Sequence, residues 1–376
     1  MPGPHDDLEQ LAATGLLRSL KPLDSPAGPR VVRDGRELWN FASNDYLGLA
    51  RHPRVEAALV EGVGKYGAGS TSSRLVCGTL PPHRLLEEKL AEAKQSAAAL
   101  VFPAGFATSL GVIPVVCGKK DFVLLDKLSH ACLIDAARLS GATMRVFPHN
   151  DTRKLAALLK NIRAKHACAR ILVATESVFS MDGDICPLCE IVDLVEAHDA
   201  LLLLDEAHGF GVLGDRGMGL AERENLQRRI TFQMGTLSKA AGLSGGYVAA
   251  SRQWIDLLVN RSRSFIYTTA PPPALAHAAI SALKIIRSPE GRALRVKLAN
   301  NLALIGSGSP TPILPFVLGD NESVLAASTA LADAGFLVPP IRFPTVPRGT
   351  ARLRVSLSAA HPAEAVNALR SAIDAM

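Results

Sequence analysis

Aromatic residues make up only 5% of the 376, and no basic run is longer than Arg228-Arg229 or Lys119-Lys120. Nucleic-acid binding draws on a clustered basic face with interleaved aromatics, so the net charge of +6 reads as scattered surface charge and no nucleic-acid partner is expected. Cysteine is sparse too. Six in so long a chain make no disulfide framework, and Cys186-Pro-Leu-Cys189 lacks the second pair that a structural zinc site uses, so no metal is expected. The start Met-Pro-Gly-Pro-His-Asp-Asp is without the basic and then apolar pattern of a signal peptide, which points to the cytoplasm. Between Lys94 and Lys119 no residue is charged, a length that would span a bilayer. Pro103, Gly105 and Pro114 interrupt it, so it reads as a buried strand, a tight turn and a buried helix, and no membrane is expected.

What is present is an alternation. Seven short apolar runs, at 97–102, 122–125, 144–147, 171–174, 201–204, 231–234 and 247–250, are separated by helix-length segments such as 153–167 and 188–198. Apolar runs bounded by turn signals suit strands buried on both faces, and their alternation with helices predicts an α/β fold: a mainly parallel seven-stranded sheet between helices. Residues 1–43 read as a lead-in, with a helix over 7–20 and a short strand pair near Val31 and Leu38. Residues 44–273 are the large domain. After Pro271-Pro272-Pro273 one long helical stretch over 274–304, three strands and a last helix predict a smaller α+β domain at 274–376.

The chemistry concentrates at the ends of the runs. Leu201-Leu-Leu-Leu-Asp205-Glu-Ala-His208 delivers a carboxylate and an imidazole to the carboxyl end of a strand, where open parallel sheets hold their ligands. One strand-helix-strand step later, Thr236-Leu-Ser-Lys239 sets an amine among small residues, placed to attack an aldehyde. A lysine for an aldehyde and an acid for a ring nitrogen are the two needs of pyridoxal 5'-phosphate. Its phosphate suits backbone N–H groups at a helix start, and Pro103-Ala-Gly105-Phe106 directly follows a strand. His130, just past the second run, offers a flat group for the ring; Ser180 and His208 offer donors to the phenolic oxygen.

Seven collinear motifs carry a resemblance: Ser43-Asn-Asp-Tyr-Leu-Gly48, the Gly67–Gly78 stretch, Leu128-Ser-His-Ala131, Val178-Phe-Ser-Met-Asp-Gly183, Asp205-Glu-Ala-His-Gly209, Thr236-Leu-Ser-Lys239 and Pro344–Arg354. From about Arg18 to His361 the chain resembles the α-oxoamine synthases, pyridoxal-phosphate enzymes of the aspartate-aminotransferase fold type (fold type I). The resemblance implies that Lys239 holds the cofactor, Asp205 its ring nitrogen and His130 its ring face, with Ser180 and His208 at the phenolic oxygen and Gly105, Phe106 and Thr236 near the phosphate. It assigns Arg354 to the amino-acid carboxylate with Asn44 beside it, Arg18 and Thr345 to the acyl or carboxylate path, His130 to substrate as well as cofactor, and Tyr267-Thr-Thr269 to a partner's phosphate in a homodimer.

The implied activity is an acyl transfer: decarboxylative condensation of L-alanine with a pimeloyl thioester, on coenzyme A or acyl carrier protein. Lys239, His130, Asp205 and His208 are the catalytic residues it implies. Sister activities of the family join glycine to acetyl- or succinyl-CoA instead. Two mild departures stand out: Glu206 follows Asp205 where a second Asp is common, and Arg74 stands where some relatives carry Gly.

Overall fold

A computed structural model describes residues 3–306 and 308–376, and the chain divides into two compact units. The smaller comprises Met1–Gly48, Met181–Gly183 and Val296–Met376; the larger comprises Leu49–Ser180 and Asp184–Arg295.

In the smaller unit β1 (Arg30–Arg33) and β2 (Arg36–Asn40) form an antiparallel hairpin over the turn at Asp34 and Gly35, both in the left-handed region. In the larger unit lie β3 (Ala98–Phe102), β4 (Phe122–Asp126), β5 (Thr143–Phe147), β6 (Ile171–Glu176), β7 (Leu201–Asp205), β8 (Phe232–Thr236) and β9 (Gly246–Ala250). They make one seven-stranded sheet in the order β3-β9-β8-β7-β6-β4-β5, parallel except for β9, which runs against both neighbours. Every residue of β3, β4, β6, β8 and β9 is buried, as the uninterrupted apolar runs require. In β7 only Leu201 is part-exposed, while the edge strand β5 has Arg145 and Val146 open to solvent. The expected seven-stranded, mainly parallel α/β core is the one found.

The stretch between Lys94 and Lys119 folds as its breakers require: β3, a turn at Pro103 and Ala104, and the helix Gly105–Val116. Val112, Ile113 and Val116 of that helix pack with Leu133 and Ala136 of the next helix onto Val123 and Leu172 of the sheet. Among the described residues no helix is long and apolar enough to cross a membrane.

The smaller unit continues in β10 (Ile313–Gly319), β11 (Phe336–Leu337), β12 (Pro340–Ile341) and β13 (Ala351–Ser356). Here β13 is the centre of an antiparallel trio with β10 and β12, while β11 joins β2 in parallel. That pairing makes the first forty residues part of this unit rather than a separate lead-in. Its first helix is shorter than expected, Pro4–Ala13, because Gly15 turns left-handed just after it. The expected helix over 274–304 is two, Pro273–Ile286 and Pro289–Ile305, broken where Pro289 can neither donate nor continue the first. The first of these packs on the helices Pro53–Tyr66 and Pro81–Ala93, with Gly62 so close that an added Cβ would meet Ala274 Cα at 2.8 Å. The division between units therefore falls at Arg295, not at the triple proline before it.

Candidate active site

Five strands of the large sheet aim their carboxyl ends at one cavity of about 220 Å³. Each brings a residue to it: Gly105 after β3, His130 after β4, Glu176 at the end of β6, Asp205 at the end of β7, and Thr236 and Lys239 at and after β8. The position is the one parallel sheets reserve for ligands.

The turn after β7 aims two groups inward. Asp205 Oδ1 accepts from the Ala207 N–H at 2.8 Å, an Asx turn that reverses the chain, so His208 faces the cavity with Asp205. Gly209 completes the turn because a Cβ there would strike the Glu206 carboxylate and the Ser177 hydroxyl. His208 Nε2 and Lys239 Nζ lie 2.7 Å apart. The lysine turn is closed by the Gly242 N–H on the Lys239 carbonyl, and Gly242 is left-handed with its Cα against Ala50, where no side chain fits. Thr236 Oγ1 shares a 2.7 Å hydrogen bond with Ser238 and donates to the Gly245 carbonyl, fixing the hydroxyl at the cavity wall.

Opposite these, His130 caps the helix Ala131–Ser140, its Nδ1 accepting from the Cys132 N–H at 3.2 Å. Burial, helped by the Lys239 charge, lowers its pKa, so the ring is neutral at pH 7. Phe106 stands edge-on to it at 6.5 Å. The helix Gly105–Val116 begins with no side chain on its first N–H groups, and an added Cβ at Gly105 would fill the space facing Thr236, 3.5 Å away. That bare helix start is an anion cradle.

Burial raises Asp205 to about 6 against the opposing pull of Lys239 and the Ala207 N–H. Burial and then the Asp205 charge raise Glu176 to about 8. Sequence reasoning missed Glu176, because the apolar run ends at Ala174 whereas the strand continues two residues further. The available signal was the parallel between Ile171-Leu-Val-Ala-Thr-Glu176 and Leu201-Leu-Leu-Leu-Asp205, two apolar strands each closing on an acid. Cys132 also lines the cavity, its thiol pushed up to about 12 by burial and so kept protonated. Ser180 is not among the lining residues; it stands in the turn that joins Val178 to Ile185.

These residues fit pyridoxal phosphate: an amine for its aldehyde, a buried acid for its ring nitrogen, an imidazole for its face and an uncapped helix start for its phosphate. The expected amino-acid subsite belongs to the smaller unit. Arg354, buried on β13, donates to Asn44 Oδ1 at 3.2 Å and to Ser356 Oγ at 2.8 Å, and the exposed pair Arg18 and Thr345 meets at 3.3 Å. Of the C-x-x-C cysteines, Cys186 is buried and Cys189 exposed, and neither is in a disulfide. Among the described residues no cluster of His, Cys, Asp and Glu suits a metal ion.

Comparison with known proteins bears on the family, the fold and the cofactor. The aminotransferase class I and II family is matched over residues 36–373. The chain is similar to 8-amino-7-oxononanoate synthase of Geobacter sulfurreducens, 47% identical over 94% of this chain and 93% of that one. It is similar to the same enzyme of Anaeromyxobacter dehalogenans, 46% identical over 98% and 94%. Among solved structures, a serine palmitoyltransferase of S. paucimobilis with bound PLP superposes with a TM-score of 0.92, at 28% identity over 98% of this chain and 95% of that one. An 8-amino-7-oxononanoate synthase of Francisella tularensis gives 0.76, at 26% identity over 90% and 98%.

Proposed function

Because the chain belongs to the aminotransferase class I and II family, we propose that it is a pyridoxal-phosphate acyltransferase that condenses L-alanine with a pimeloyl thioester. The products are 8-amino-7-oxononanoate, CO2 and the free thiol carrier, a step of biotin formation. Relatives of that name at 46–47% identity over nearly the whole chain carry the choice of reaction. The pairing of Lys239 with His208 in a cavity that also holds Asp205 supports the chemistry.

Pyridoxal phosphate, when bound, supplies an electron sink for negative charge at the carbon beside the amino nitrogen. Lys239 Nζ is the amine that would hold the cofactor's aldehyde and would yield that place to the amino acid's amine. The freed amine is then the general base for the Cα proton, with His208 Nε2 orienting it. Asp205 keeps a proton on the ring nitrogen by opposing its charge from a desolvated position. Arg354 takes the amino-acid carboxylate through its forked donors, with Asn44 setting the guanidinium plane. His130 covers the ring face as a neutral, capped imidazole. Gly105, Phe106 and Thr236 hold the phosphate end; Ser180 serves the phenolic oxygen, and Arg18 with Thr345 the acyl path. The enzyme works in the cytoplasm as a homodimer, with Tyr267-Thr-Thr269 reaching the partner's phosphate; Tyr267 is 72% exposed in the single chain, as a partner contact would require.

The test is free-thiol release by the cofactor-loaded protein. L-alanine with pimeloyl-CoA is set beside glycine with acetyl-CoA, glycine with succinyl-CoA and L-serine with palmitoyl-CoA. Release with the first pair alone is expected. Release only with a glycine or serine pair would overturn the substrate choice while leaving the cofactor chemistry in place.

A further inference from the structure

Glu176 has no assigned part in the reaction above, yet it is 3% exposed, lines the cavity, and sits in register with Asp205 across the parallel pair β6 and β7. Paired residues of neighbouring strands lie about 4.8 Å apart and project from the same face of the sheet. Two carboxylates are thus set side by side at the floor of the site. Glu176 Oε1 also accepts the backbone N–H of His130 at 2.5 Å, and His130 is the residue that starts the helix Ala131–Ser140 and presents its ring to the cavity.

We propose that Glu176 is a positioning residue that acts as a neutral acid: it keeps its proton so that Asp205 alone is ionised, and its carbonyl oxygen pins His130 in place. The groups facing it are Asp205 from β7, Asp126 from the end of β4, Lys239 from the turn after β8 and the His130 N–H. Asp126 is already held by His149 Nδ1 at 2.9 Å, outside the cavity lining, so in the floor itself one ammonium faces the two side-by-side carboxylates, and a second charge beside Asp205 is the one the site can least accommodate. The division of labour follows: Asp205 supplies the charge for the ring nitrogen, and Glu176 supplies a hydrogen-bond acceptor for the ring-covering histidine without adding charge.

The inference rests on the functional reading above, and the experiment separates the two. Apo-protein is titrated with pyridoxal phosphate, followed by absorbance, for the wild type, Glu176→Gln and Glu176→Leu. The amide preserves a neutral group with a carbonyl acceptor, so Glu176→Gln should bind within about threefold of wild type, whereas Glu176→Leu, which frees the His130 N–H, should weaken binding about tenfold or more. In parallel, the infrared spectrum of the wild-type chain should show a protonated-carboxyl stretch at pH 7 that fades as pH rises past about 8 and is missing from Glu176→Gln. Equal loss in the Gln and Leu variants, or a wild-type spectrum whose carboxyl band at pH 7 is no larger than that of Glu176→Gln, would overturn the proposal. Wild-type protein that binds no pyridoxal phosphate would instead sink the functional reading. The infrared band is read on the wild type with or without cofactor and decides the role of Glu176 separately.

Discussion

Asp205 and Glu206 are neighbours in sequence and both buried, and their surroundings differ completely. Glu206 turns away from the cavity. Its carboxylate accepts the N–H groups of Leu220 and Ala221, at 3.0 and 2.8 Å, at the start of the short helix Leu220–Arg223. Gly209 and Gly219 press so closely on it that a Cβ at either would strike its oxygens. Behind it the fully buried Lys94 donates to the Met218 carbonyl at 2.7 Å. Asp205 stands in an open cavity and is raised to about 6. A buried acid met by fixed donors is architecture, whereas one left beside an open cavity with a raised pKa is poised for a ligand's charge.

The widest separation of the two regions comes from the cavity side. Lys239→Ala should cut thiol release by about four orders of magnitude or more while leaving thermal stability within a degree or two, since the amine is needed in every turnover. Asp205→Asn should cost about 10²–10³ in kcat with the fold intact, because a neutral amide cannot oppose a ring-nitrogen charge. Near-normal turnover in Asp205→Asn would make it a structural acid like its neighbour. On the other side the effects reverse: Glu206→Ala orphans two buried N–H groups and should lower stability by about 1–3 kcal/mol. It should leave KM for the amino acid unchanged, as thermal melts beside steady-state rates would show. A selective loss of kcat with an unchanged Tm would erase the distinction.

Much of the cavity was legible in the sequence. Asp205, His208, Lys239, His130 and Gly105 were placed by strand ends and spacing, because a parallel sheet forces its carboxyl ends together and the apolar runs reveal where the strands lie. Glu176 was hidden because the polar Thr175 ends the apolar run before it, whereas four leucines lead straight into Asp205. The opposed roles of Asp205 and Glu206 were not readable either: which side of a strand end a side chain takes depends on the Asx turn at Ala207 and on the distant Leu220 and Ala221 N–H groups. The division at Arg295 was lost for a similar reason. A triple proline marks a break in the chain, but the helix after it has small residues, Ala274 and Ala278, and packs within the larger unit, Ala274 against Gly62.

The smallest effect is a difference in slope with pH. On the cavity side Asp205 moves from 3.8 to about 6 and Glu176 from 4.5 to about 8, so the folded apo-protein binds more protons than the unfolded chain between those limits. The contribution of these two acids to stability therefore falls as pH rises from about 4 to 8, and Glu176→Gln should flatten the upper part of that fall relative to wild type. Lys94 works the other way. Burial lowers its pKa despite the nearby Glu206 and Glu222, so below the ordinary 10.5 the unfolded chain binds more protons than the folded one. Its contribution to stability grows as pH rises toward that value, and Lys94→Met should remove this alkaline gain while changing stability at pH 7 by no more than about 1–2 kcal/mol. Denaturant melts of the wild type and the two variants across pH 5 to 10 give both slopes by difference. Parallel curves for wild type and Lys94→Met would mean that the lysine keeps its full charge in the core, held by Glu206 and Glu222, and that the rear of the strand end is an ion cluster rather than a neutral amine on a carbonyl.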